Sequence, residues 1–152
     1  MANPPRRPRP APSAEVVRLL APIREGLLHL HKALLDRERL AYEAAHGPVA
    51  NNMAFLQLLI DDAWFAWLRP FGLFIVQIDE ALETDPPLSV PGAHALLDQA
   101  RALLRASETG SDAEKKYHAV LQAGDDPIVL LHADLKRQLN AAEPKAADAD
   151  PA

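Results

Sequence analysis

The sequence contains no cysteine. Disulfides, thiolate zinc sites, iron–sulfur clusters and cysteine nucleophiles are therefore excluded. Aromatic residues are scarce, with two Trp, two Tyr and four Phe among 152 residues, so the places where they gather carry information. No apolar run reaches the ~20 residues that a membrane-spanning helix needs. The longest candidate is interrupted by Arg69 and Pro70. Basic charge is also in short supply. Lys and Arg total 16 against 21 Asp and Glu, for a formal net charge of −5. A surface of that sign does not attract nucleic acid or anionic lipid over long range. The aromatics are embedded in apolar and acidic sequence rather than interleaved with Lys and Arg, which argues against a base-stacking platform. Phosphate-binding glycine loops, nucleophile elbows and His-Glu-x-x-His zinc motifs are all missing.

Proline, by contrast, is plentiful, and five of the 14 fall within residues 1–12. That segment, "MANPPRRPRPAP", also carries Arg6, Arg7 and Arg9 and no acid. It has no apolar stretch of the kind a secretory signal uses. We expect residues 1–12 to be a disordered tail leaning to polyproline II, residues 13–141 to form one domain, and residues 142–152 to be a second tail. A cytoplasmic protein is the corresponding expectation.

The periodicity between the tails is helical. Ser13 is placed to cap a long helix running to about His46, where Gly47-Pro48 stops it. Pro22 is expected to interrupt its first turns. Asn51 or Asn52 caps a second helix through about Asp61, and Asp62 either continues it or caps the next. Pro70 kinks the following run, which ends at "TDPP", residues 84–87. Pro91 suits the first turn of a helix reaching about Ala106. "SDAE", residues 111–114, fits a capping box. After Gly124, Asp126-Pro127 opens the last helix, to about Ala141. The expected fold is all-α: a compact bundle of five or six helices with a kinked, aromatic-rich central helix.

Charged groups fall inside apolar faces. On the first helix, Leu20, Leu27 and Leu34 centre an apolar stripe, and Arg24, His31 and Glu38 recur every seven residues within it. Residues 61–80, "DDAWFAWLRPFGLFIVQIDE", hold five of the eight aromatics. If residues 56–82 form one nearly continuous helix, Trp64, Trp67, Phe71 and Phe74 gather on one side and Asp62, Arg69 and Glu80 on the other. Leu73 and Val76 share that second side. Two such rows facing each other yield either an internal ion network or a polar pocket lined by Arg24, His31, Glu38, Asp62, Arg69 and Glu80. Arg69 is suited to hold a carboxylate or another anion.

Metal chemistry has little to draw on. His31 and His132 each lie in an apolar stripe, but a zinc site wants a third protein ligand and none is placed. "EAAH", residues 43–46, has the Glu-x-x-His spacing of di-iron bundles without the second motif they require. No metal or other cofactor is expected.

The stretches "LLHLHKALLDRERLAYEAAHG" (27–47) and "FLQLLIDDAWFAWLRPFGLFIVQIDEALE" (55–83) resemble uncharacterised bacterial all-helical proteins. The resemblance implies a helical fold and brings no activity, ligand or partner with it. On these grounds we expect a non-catalytic bundle that binds another protein or itself, with Trp64, Trp67 and Phe71 as anchors if their face stays exposed. The alternative is a ligand- or metal-binding bundle, an enzyme included, built on the polar pocket.

Overall fold

A computed structural model describes residues 2–5 and 10–143. Of the two expected tails, residues 1, 6–9 and 144–152 lie outside the described residues, the three tail arginines among them. The described residues form six α-helices and one 3-10 helix, with no strand among them. They are α1 (Ala14–His46), α2 (Asn52–Asp61), the 3-10 helix (Ala63–Leu68), α3 (Arg69–Leu82), α4 (Val90–Leu103), α5 (Asp112–Gln122) and α6 (Asp126–Ala142). The fold is compact and all-α.

Local chemistry sets most of the boundaries. A side-chain oxygen accepts an otherwise unpaired amide at the start of each of five helices. Ser13 takes the Val16 amide, Asn51 that of Ala54, Ser89 that of Gly92, Ser111 that of Glu114, and Asp125 that of Ile128. Gly47 ends α1 at φ +91°, a conformation that suits glycine, and its amide reaches the Glu43 carbonyl at 2.8 Å. The Glu43 carboxylate then accepts the Val49 amide and fixes the turn into α2.

Three expectations need correction. Pro22 lies inside α1 without interrupting it, so packing along the rest of the helix outweighs one missing hydrogen bond. The helix from Val90 stops at Leu103, short of Ala106, and Ala142 belongs to α6 rather than to a tail. Most consequentially, residues 56–82 are not one helix. The break falls at Asp62, whose extended backbone (ψ 136°) ends α2 and whose carboxylate caps the 3-10 helix at the Trp64 amide, 2.8 Å away. Pro70 sits in the first turn of α3, where its missing N–H costs nothing.

The hub of the bundle is α1, which packs against α6, α3, α4 and the 3-10 helix. Its buried row is Val16, Leu20, Ile23, Leu27, Leu30 and Leu34. Phe65, Trp67 and Leu68 of the 3-10 helix, with Phe71, Phe74, Ile75 and Ile78 of α3, fill the adjoining core. α2 is the exception: none of its residues is buried. It is attached chiefly to the 3-10 helix. Phe55 meets the Phe65 ring edge-on at 5.7 Å and lies under the Arg39 guanidinium, 4.6 Å from the ring centre.

Candidate functional site

The charged row of α1 and the polar groups of residues 62–80 do not converge on one pocket. Arg24 forks onto Asp79 of α3 through both Nε and a terminal nitrogen. That pair is partly exposed and ties the two helices together. Glu80, one residue further on, is exposed. Glu38 is 9% exposed and accepts the Trp64 indole N–H at 2.8 Å. Its other oxygen meets the Arg37 guanidinium at 3.2 Å. Two of the row's three members are therefore engaged with separate partners along α1.

Arg69 does not hold a carboxylate. Its Nε donates to the Leu59 carbonyl and a terminal nitrogen donates to the Asp62 carbonyl, both at 2.7 Å. The Leu59 carbonyl lies in the last turn of α2, where backbone acceptors lack helical partners. One guanidinium at the start of α3 thus closes the end of α2 and holds the two elements side by side. Asp62 contributes its carbonyl here and its carboxylate to the 3-10 cap.

The expected aromatic anchors are also placed differently. Trp67 and Phe71 are buried, each packed on Tyr117 of α5. They are core residues, on the same buried face as Phe74, Ile75 and Ile78. Trp64 is half-buried, with Tyr42 and His46 edge-on to its ring.

The polar groups that remain together are His31 and Arg69, and what surrounds them is aliphatic. They line a groove of about 570 Å³ between α2 and α3, floored by α1. Its walls include Leu56 and Ile60 of α2 and Leu73 and Val76 of α3, which are 47%, 55%, 70% and 51% exposed. Met53 continues the α2 row and is 66% exposed. Gly72 faces His31 across the floor, where a methyl group would stand in ordinary contact, 3.5 Å from His31 Cε1. Burial lowers the His31 pKa from the ordinary histidine value, so the ring is held neutral. The sequence signal for this groove was the placement of Leu73 and Val76 on the same side as Arg69. The periodicity showed apolar residues nearly all round this segment without showing which side would stay uncovered.

His132 is no partner for His31. Its Nδ1 lies 2.6 Å from the Tyr117 hydroxyl, whereas His31 lies against Gly72. Burial, assisted by Lys136, lowers the His132 pKa, and burial raises that of Tyr117. Tyr117 therefore keeps its proton, and a neutral His132 with its own proton on Nε2 accepts a hydrogen bond from the hydroxyl at Nδ1. Among the described residues, no three His, Asp or Glu side chains cluster closely enough to hold a metal ion. No described helix is long and apolar enough to cross a membrane.

The fold and groove define an all-α bundle with an aliphatic cleft open to solvent beside α2. No family model matches the chain, and neither a curated protein nor a solved structure matches it.

Proposed function

We propose that this chain is a small, non-catalytic helical-bundle protein that works by associating with another protein or with itself, and that the aliphatic groove between α2 and α3 is its contact surface. The observation that carries this reading is α2. A helix of ten residues is marginal in water on its own and takes its stability from packing. α2 takes that packing from the partly buried Phe55, Leu58 and Leu59, while its other large apolar side chains, Met53, Leu56 and Ile60, face solvent. With Leu73 and Val76, these side chains expose on the order of 500 Å², near the upper end for the largest apolar patch of a monomer. Patches of that size are often functional.

The chemistry of the groove fits binding. Its walls offer apolar contact, a neutral imidazole, and a guanidinium already engaged with backbone carbonyls. A ligand-binding alternative would draw on His31 and Arg69 in this groove, or on the smaller recess where Glu38 meets Arg37, Trp64 and Trp67.

Carbene footprinting compares side-chain labelling in cells that naturally express the chain with labelling of dilute purified protein. The reading expects Leu56, Ile60, Leu73 and Val76 to be shielded in cells, while Leu40 and Leu130, exposed outside the groove lining, label equally in both. Equal labelling of the groove residues in the two settings would refute it.

A further inference from the structure

We propose that the occupant of the groove is a second copy of this chain, in a twofold pairing that lays each α2 into the other copy's groove. This rests on the reading of the groove as a contact surface.

The first ground is spacing. A helix that docks into a groove presents apolar anchors at i, i+3 and i+7. Met53, Leu56 and Ile60 of α2 have this spacing and are exposed. The element that walls the groove is therefore also the right shape of occupant for it, as an isologous interface requires.

Charge is the second ground. Two copies of one patch can meet only if no like charges are forced together. The walls are aliphatic, and Arg69 reaches two backbone carbonyls through Nε and a terminal nitrogen. A strongly charged partner would find little to pair with, whereas an identical aliphatic surface meets no repulsion.

Area is the third. A stable interface buries about 800 Å² on each partner. The exposed aliphatic core of roughly 500 Å² supplies the centre of such an interface, with a polar rim making up the rest.

The chain's own ends are poor occupants. Residues 1–12 and 144–152 contain no Leu, Ile, Val, Phe or Trp. Their one large apolar residue, Met1, cannot supply the row of anchors that four aliphatic wall residues would bury.

The test uses the full chain in sedimentation velocity from about 1 to 500 μM, with Ile60→Lys and Leu73→Asp alongside. The wild type is expected to pass from the 16.6 kDa monomer to twice that mass. Each variant places a charge in the contact and is expected to weaken pairing at least about 100-fold, because the charge would be buried without a partner. Circular dichroism checks that the variants fold; both positions are exposed, so the fold is expected to survive. Because the chain has no cysteine, a mixture of Leu56→Cys and Leu73→Cys single variants gives an independent readout. Oxidation is expected to join one variant to the other in preference to self-pairs, since α2 of one copy lies on α3 of its partner.

A wild type that stays monomeric throughout would overturn the second copy. Shielding of the groove in cells would then still support the contact surface and point to a different protein. Dimerisation undiminished in both charged variants, with no mixed disulfide, would place the dimer on another face and overturn the proposal equally.

Discussion

Two glycines in helix interiors should respond to the same substitution with opposite signs. Gly26 lies in α1, where the bundle's hub meets α6. A methyl group on Gly26 would stand 2.6 Å from Leu135 Cδ2 and 3.0 Å from its Cγ. Carbon atoms in contact prefer about 3.5–4.0 Å. Leu135 is fully buried, so it has no solvent to swing into. Overpacking of this kind costs about 1–3 kcal/mol. Alanine returns up to about 1 kcal/mol of helix propensity. Gly26→Ala is therefore expected to destabilise the fold by about 1–2 kcal/mol. Gly72, in α3, keeps ordinary helical backbone and would place its methyl at normal contact distance from His31. Gly72→Ala is expected to stabilise by about 0.5–1 kcal/mol, through helix propensity and a less free unfolded chain. Urea unfolding followed by tryptophan emission reads both, with an unchanged m-value as the check that only stability moved. In a Leu135→Ala background the clash is gone, and Gly26→Ala should become neutral or stabilising. A stabilising Gly26→Ala in the wild type, or an unchanged penalty in the Leu135→Ala background, would refute the reasoning.

Two further predictions follow from the polar groups at the groove and in the core. Arg69→Met keeps the aliphatic stem and removes both hydrogen bonds to the end of α2. Amides of Leu58 to Asp61 are expected to exchange about tenfold faster, with α1 and α6 unchanged, since local opening loses about 1.4 kcal/mol. Unchanged exchange in α2 would show that the clip is dispensable. The second prediction concerns pH. His31 and His132 have folded-state pKa values below the ordinary histidine value. Between those folded values and about 6.5, the unfolded chain binds more protons than the folded one. Stability is thus complete above about pH 6.5 and falls as the pH drops through that window. His31→Gln should flatten the fall, and an acid-side profile identical to wild type would show that His31 does not contribute.

Much of the fold was legible because its signals are local. Ser13, Gly47-Pro48 and Ser111 act through hydrogen bonds within a few residues of themselves, and the sequence displays both ends of each. The leucine row of α1 repeats for long enough that no competing period fits it. Residues 56–82 were harder because Asp62 can continue a helix or cap a new one at similar cost. That choice sets the phase of everything after it. The break at Asp62 leaves Asp79 rather than Glu80 as the partner of Arg24, while the face shared by Trp67, Phe71 and Phe74 is buried as a unit. Arg69 was misread for a different reason. A sequence lists side chains, so an arginine suggests a carboxylate, whereas its partners here are the carbonyls of Leu59 and Asp62. Every residue has such a carbonyl, and nothing in the letters says which ones lack a hydrogen bond.

Those carbonyls also explain why an aliphatic groove contains an arginine at all. A helix end placed beside apolar surface leaves backbone acceptors that neither leucine nor valine can satisfy. Left unpaired and shielded from water, each would cost about 1–3 kcal/mol. The guanidinium satisfies two of them while its methylene stem adds to the wall, in the way long basic side chains cover apolar surface. His31 follows the same logic, since its partial burial keeps the ring neutral and compatible with the leucines around it. Both polar residues serve to make an apolar surface feasible at a helix junction. Substituting Arg69 by leucine would look like an improvement in hydrophobicity, yet it would loosen the end of α2 as Arg69→Met does, and the groove keeps its shape only while α2 stands beside α3.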